Sequence, residues 1–412
     1  MSCDNPSMPG TVRSRIGPYT LTRREVSGAF ADLGVLIPLE AALIAVNGIN
    51  PTSTLLGVGI AYIVAGWYFR LPMPVQPLKA FSAIAIAQAV TPSVIAAGAL
   101  LMSLVMFLLA ATRGVEYLTR AISLPVVRGV QFALGLVLIR NAVGMVLFKP
   151  FLVGGEVQRY LYISGLDVSA GLLVGIGSLA FLLLFLWRPW LPGAAVVAVG
   201  GILVGLLIGD GGAHLALGPA PMAMAWPPLA DFSTALVMLV IPQLPLTLTN
   251  SVVATVDTAR TYFGPGAARV TPVRTSLSIA AGNLWAGLVG GLPMCHGSGG
   301  LTAHYRTGAR TPVATTLIGL LLIGVALLFG LSALEVRGLM PYAVLGALLM
   351  YVGAQHLLLG LKVSSLPHLA VVGLVGLVVL MPFGNMAVGA GAGLAAYWLA
   401  WWVARLRAVS TR

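Results

Sequence analysis

Leu71-Pro72-Met73-Pro74-Val75-Gln76-Pro77-Leu78-Lys79-Ala80 stands between two apolar runs, and its reading decides the fold. Its prolines remove backbone donors and forbid a helix before Leu78. The apolar run at 76–90 is shorter than the stretch of about 20 residues that spans a bilayer. The sequence therefore predicts an extended segment that feeds a half-helix starting inside the membrane. Such backbone survives at that depth only where protein buries it or where it lines a cavity. A second stretch, Leu292-Pro293-Met294-Cys295-His296-Gly297-Ser298-Gly299-Gly300, opens the short apolar run at 298–306 and reads the same way.

The two stretches also match each other. Leu71-Pro72-Met73 returns as Leu292-Pro293-Met294 at an offset of 221, and Ala65-Gly66 returns as Ala286-Gly287 at the same offset. Pro38-Leu39 returns as Pro245-Leu246 at an offset of 207, and a longer loop around 258–273 accounts for the difference of 14. Working outward, apolar segments fall at 24–46, 53–69, 76–90, 94–111, 125–148, 169–187, 193–209, 230–256, 274–290, 298–306, 311–330, 338–360, 365–383 and 385–402. That is seven per half, and an odd number makes the second half enter with opposite orientation. The expected fold class is all-α and polytopic, with 14 transmembrane segments in a 7+7 inverted repeat and extended stretches before half-helices 3 and 10. The repeats are expected at 1–209 and 210–404.

Composition agrees with a membrane setting. The 412 residues are 58% hydrophobic and 8% charged, with 50 glycines, and the mean hydropathy is +0.98. Glycine is frequent in membrane helices, where close approach replaces a hydrophobic driving force. The net charge of +12 suggests nucleic acid, but the basic residues sit in short loops and at the ends of apolar runs. No lysine-rich tail or basic stripe with aromatics is present, so nucleic acid is not an expected partner. With the N-terminus inside, 18 basic residues fall on the inner side and three, Lys149, Arg159 and Arg337, on the outer side. Lys79 and Arg140 remain within helices. This asymmetry puts both termini in the cytoplasm. Cys3 and Cys295 make neither a disulfide framework nor a metal set. No Walker loop, Rossmann glycine pattern or catalytic constellation occurs, so neither an enzyme nor a cofactor is expected.

Chemistry is expected at the two half-helix starts. The first turn of a helix leaves about four N–H groups unpaired and carries roughly half a positive charge. Two such ends, one from each half, make an anion site. Gln76 to Lys79 would supply donors from the first half, and His296, Gly297, Ser298, Gly299 and Gly300 from the second. The same glycines also suit tight helix packing. Lys79 lies one turn inside its segment, where an ion faces a cavity or partner unless it snorkels to the interface. Asp32 and Glu40, eight residues apart and so about 80° apart on a helix, are candidates for coupling to a proton or other cation. Gln243, Thr247 and Asn250 share one face of the eighth segment, with Asn283 beside them. Such side chains line sites or join helices. His296 beside Cys295 lacks a carboxylate at ligand spacing, and no metal site is expected.

These residues resemble a known family. Glu25-Val26-Ser27-Gly28-Ala29-Phe30-Ala31-Asp32-Leu33-Gly34 and Leu71 to Ala80 are similar to the first-half motifs of the MOT1-type molybdate transporters, relatives of the sulfate permeases. Pro245-Leu246-Thr247-Leu248-Thr249-Asn250-Ser251 and Pro293 to Leu301, continuing into Tyr305-Arg306-Thr307-Gly308-Ala309-Arg310, are similar to the second-half motifs. Ala29-Phe30-Ala31 departs from the serine, leucine and glycine that many members carry before the aspartate. The resemblance implies short strands before half-helices 3 and 10, a core domain at 24–111 plus 230–330 and a gate domain at 125–209 plus 338–402. It implies uptake of molybdate, with Gln76, Lys79, His296, Gly297 and Ser298 on the family's motif positions. About ten residues follow the last segment, so the soluble regulatory STAS domain of sulfate permeases is not expected. Sulfate or tungstate are the neighbouring substrates. A nucleobase transporter of the same fold, and a channel or sensor, are the other readings. A homodimer is the candidate assembly, set in the lipid bilayer.

Overall fold

Helices begin where a cap residue meets a proline. The Pro51–Phe69 helix opens with Pro51 in its first turn, and the Asn50 side chain accepts the N–H of Ser53 at 2.9 Å. Thr91 does the same for Pro92–Ala111 and Thr271 for Pro272–Val289, each accepting an N–H at 3.3 Å. Proline lacks the donor that a helix start cannot use, and the cap satisfies one that remains. The computed structural model describes residues 14–16, 19–121, 123–153, 155–156, 158–163, 166–186, 193–208, 216–222, 226–336, 339–381 and 386–410. Cys3, Arg13, Arg188, Arg337 and Arg412 lie outside the described residues, as do the ends of the stretches at 187, 209, 338, 383 and 385.

Among the described residues, helical segments cover each of the apolar stretches, and six are long and apolar enough to cross a membrane by length and composition. These are Pro51–Phe69, Pro92–Ala111, Leu124–Leu147, Leu229–Ala267, Pro312–Ala333 and Tyr342–Gly360. Shorter apolar helices include Ala170–Leu184, Val196–Leu207, Leu366–Leu380 and Val388–Val403. Two helical stretches are irregular where proline interrupts them. Pro38 sits inside Leu33–Ala42, between a 3-10 turn at Phe30–Asp32 and a π turn at Leu43–Asn47. Pro245 sits inside Ile241–Leu246, between π turns at Leu236–Val240 and Thr247–Ala254. Each proline deletes one i→i−4 bond, and the ladder slips register beside it.

The two proline-rich stretches become a pair of strands. Gln76–Pro77 and Met294–Cys295 run antiparallel, Gln76 opposite Cys295 and Pro77 opposite Met294. The Leu78 N–H extends the ladder to the Pro293 carbonyl at 3.0 Å. Leu71, Met73, Val75, Gln76 and Leu78 are all buried, so this backbone has no water to bond and pairs across the molecule instead. Lys79–Ala87 follows the first strand and Ser298–Thr307 the second. The structure adds two short hairpins that the all-α expectation did not include, Ser14–Ile16 with Tyr19–Leu21 and Tyr160–Ile163 with Leu166–Ser169.

Helices from opposite ends of the chain pack in pairs: Pro51–Phe69 on Pro312–Val336, Pro92–Ala111 on Pro272–Val289, and Leu124–Leu147 on Tyr342–Gly360. Glycine sets the spacing where they cross. A Cβ on Gly59 would stand 2.7 Å from the Gly319 carbonyl oxygen, and one on Gly319 would stand 2.6 Å from the Gly59 oxygen. Gly135 and Gly353 repeat this reciprocal contact at 2.7 and 3.1 Å.

Candidate functional site

The strand pair brings two helix starts together at the centre of the fold. In Lys79–Ala87 the first helical bond runs from Ser82 N to Leu78 O at 2.7 Å. The Phe81 N–H donates to Gln243 Oε1 at 3.0 Å. The N–H groups of Lys79 and Ala80 have no partner among the described residues. In Ser298–Thr307 the first helical bond runs from Leu301 N to Gly297 O, and no side chain caps the start. The N–H groups of Ser298, Gly299 and Gly300 are therefore unpaired among the described residues. Five backbone donors and two positive helix ends remain available.

A small cavity of about 40 Å³ lies at the first start. Lys79, Gln243, Asn250, Ser251 and Cys295 line it, together with Gln131 from Leu124–Leu147 and His356 from Tyr342–Gly360. No carboxylate lines it, and Lys79 makes no ion pair among the described residues. Gln243 ties the wall together: its amide donates to Thr247 Oγ1 at 2.9 Å while its carbonyl caps Phe81. The Ser298 hydroxyl donates to Asn250 Oδ1 at 2.9 Å. Lys79, Thr247, Asn250 and Ser298 thus come together, and Gly299 is exposed with open space where a Cβ would stand.

Other expected residues are committed elsewhere. Asp32 is 1% exposed and accepts from Tyr62 Oη at 2.9 Å and from the Gln76 amide. Gln76 is thereby turned toward Asp32 and packed onto the second helix start. A Cβ on Gly297 would strike the Gln76 carboxamide, and one on Gly300 would lie 2.6 Å from Gln76 Nε2 and 2.7 Å from Asp32 Oδ1. Asn283 donates to Met294 O at 2.6 Å and accepts from Met294 N at 3.2 Å, which holds the second strand rather than facing the cavity. His296 is also a clamp. Its Nδ1 donates to Pro74 O at 2.8 Å, so Nε2 accepts from Ser278 Oγ at 2.9 Å. That ring looks into a separate apolar cavity of about 170 Å³ walled by Ile60, Val64 and Trp285. Glu40 is buried, with Oε1 unpartnered among the described residues, and it does not line the Lys79 cavity. Among the described residues no group of His, Cys, Asp and Glu converges as a metal site.

The sequence reading did not mark Gln131 and His356 at all. Each is a polar residue in a long apolar helix, but neither belongs to a polar face at helical spacing like the one that singles out Gln243, Thr247 and Asn250. Cys295, set aside as a weak feature, is a cavity-wall residue.

Comparison with known proteins gives the family and the fold. The family described as "Molybdate transporter of MFS superfamily" matches residues 24–138 and 235–356. "Molybdate transporter 2" of Arabidopsis thaliana is 30% identical over 96% of this chain and 92% of its own length. "Molybdate transporter 1" of Chlamydomonas reinhardtii is 29% identical over 81% of this chain and 83% of its own. Among solved structures, the transmembrane domain of the cyanobacterial bicarbonate transporter BicA aligns with a TM-score of 0.64 at 15% identity, over 91% of this chain and 96% of that one. Murine Slc26a9, an anion transporter in its inward-facing state, aligns with a TM-score of 0.65 at 16% identity, over 93% of this chain and 69% of that one. At such identities the likeness concerns the fold alone: an all-α, multi-pass membrane fold.

Proposed function

Because the chain belongs to the molybdate transporter family, we propose that it is a secondary transporter that imports molybdate across the cytoplasmic membrane by alternating access. The observation that carries the site is Lys79 in a small polar cavity at the first helix start, with the second start and its unpaired N–H groups brought alongside by the strand pair. A dianion stripped of water inside a membrane needs that charge and those donors. Tungstate and sulfate offer the same oxygen geometry and are the neighbouring substrates. The wall holds no carboxylate for ring N–H groups, which disfavours a nucleobase.

In this reading Lys79, Ser298, Gly299 and Gly300 face the anion, while Thr247 and Asn250 complete the wall. Gln76, Asn283, His296 and Gly297 shape the site from behind. The finer architecture is fourteen segments in a 7+7 inverted repeat. The antiparallel strand pair and the prolines at 38 and 245 support it, as do the reciprocal helix pairs. The core domain, 24–111 plus 230–330, would carry the anion against the gate, 125–209 plus 338–402. Cavity walls drawn from both ranges support that division. Both termini are placed in the cytoplasm by the basic asymmetry, and a homodimer is the candidate assembly. Accumulation also calls for a compensating cation, since an inside-negative potential opposes each negative charge by about 2.3 kcal/mol per 100 mV.

The test is molybdate affinity of purified, folded variants. Losing one hydrogen bond to a charged group costs roughly 1.5–3 kcal/mol, or about 10- to 150-fold in affinity. Ser298→Ala and Lys79→Ala should each weaken binding on that scale. Near wild-type affinity in both would put the anion elsewhere.

A further inference from the structure

The Lys79 cavity carries a titratable residue that the anion reading leaves unused. His356 lies on Tyr342–Gly360 and is 7% exposed, and its Nδ1 has no hydrogen-bond partner among the described residues. It shares the cavity with Lys79 and Gln131. Gln131 is already engaged, since its Oε1 accepts from Arg128 at 3.0 Å. The remaining ionisable groups around His356 are few. Leu124–Leu147 brings Arg128 and Arg140, and Leu33–Ala42 brings Glu40; Ala170–Leu186 and Gly193–Ile208 bring none, and Tyr351 shares the helix. A buried, unpaired imidazole nitrogen costs stability unless a ligand uses it.

Charge counting gives it a use. A dianion beside Lys79 leaves one negative charge uncompensated, and no other cation lines the cavity. Asp32 is held by Tyr62 and Gln76, and neither Asp32 nor Glu40 lines the wall. We propose that His356 is the proton-linked ligand of the site: it takes one proton from water as the dianion binds and donates a hydrogen bond to an anion oxygen from the helix Tyr342–Gly360. The proton returns to water when the anion leaves. This rests on the oxyanion site proposed above. It places the proton linkage on the gate-side wall, away from both carboxylates.

The sign follows from linkage. If the bound anion favours protonated His356, affinity rises as pH falls through the bound-state pKa and levels off below the free-state one. The bound state sets the upper end of the window, because the anion there offsets burial and Lys79, so the scan runs from about pH 5 to 8, around the free-histidine value of about 6.5. The experiment measures molybdate affinity across that window, with calorimetry in two buffers of different ionisation heat to count protons. Wild-type protein should gain up to about tenfold in affinity per pH unit lowered, with net proton uptake, as one linked proton requires. His356→Gln keeps a donor of similar size without titrating. It should flatten the pH dependence and abolish the proton uptake. The anion's own protonation is common to both proteins and cancels in the comparison. An unchanged slope in folded His356→Gln would overturn the proposal and leave the oxyanion site standing. Wild-type binding without proton uptake would overturn it with no variant needed. Absence of any oxyanion binding by wild type would overturn both.

Discussion

At the scale of single residues, the structure separates groups that meet the cavity from groups that hold its walls. Asn283 exchanges both of its amide groups with the backbone of Met294, so Asn283→Ala should unmake the strand clamp. Leaving a buried donor or acceptor unpaired costs about 1–3 kcal/mol. A lowered melting temperature together with weaker molybdate binding is the expected outcome, read by thermal unfolding and affinity on the same preparation. Ser298→Ala removes only a hydroxyl that donates to Asn250, and should change affinity with little change in melting temperature. Gly300→Ala brings a Cβ within 2.7 Å of Asp32 Oδ1 and of Pro74 Cβ, and should abolish uptake by dislodging the Asp32–Gln76 pair. These distinctions were not legible in the sequence. Gln76 finds Asp32 from 44 positions away and His296 finds Pro74 from 222, and helical periodicity carries no information about such pairings. The residue types were legible because a polar side chain in an apolar run must find a partner or a cavity. Which of the two it finds is a matter of tertiary geometry.

At the scale of elements, the local chemistry of proline and glycine was readable almost directly. The prolines at 72, 74 and 77 forbid a helix, and the strand that replaces it pairs with its counterpart at Met294–Cys295. What proline does inside a helix was less visible: Pro38 and Pro245 mark slips into 3-10 and π turns that no apolar pattern announces. Helix pairing was also hidden, because glycine abundance alone does not say which glycines meet. Gly59 and Gly319 do, each against the other's carbonyl oxygen. Overpacking a core costs typically about 1–3 kcal/mol, and here the obstacle is backbone, which gives least. Gly319→Leu should therefore lower the melting temperature of the purified protein more than Gly324→Leu on the same helix, where a Cβ meets open space. Equal shifts in the two variants would show that this crossing does not fix the spacing.

At the scale of the whole molecule, the remaining question is direction, and the proposed fourteen crossings turn charge and parity into a test of it. Eighteen basic residues on one side against three on the other follow only if each of fourteen segments crosses once. The first half places Arg113 inside and Lys149 outside, four and five segments from the N-terminus. Arg405 lies beyond the last segment, so its side depends on every crossing before it. A cysteine introduced at each position reads these predictions in turn, with Cys3 and Cys295 first replaced to remove background. In intact cells a membrane-impermeant maleimide should label the Lys149→Cys protein and spare Arg113→Cys and Arg405→Cys until the membrane is opened. Labelling of Arg405→Cys from outside, with Arg113→Cys still protected, would mean an odd number of crossings between them. That outcome would dissolve the inverted repeat, because two halves of equal odd length always return the chain to the side where it began. Retention of both inside leaves the two half-helices entering from opposite faces, the arrangement in which their positive ends meet at the depth where a dianion is hardest to hold.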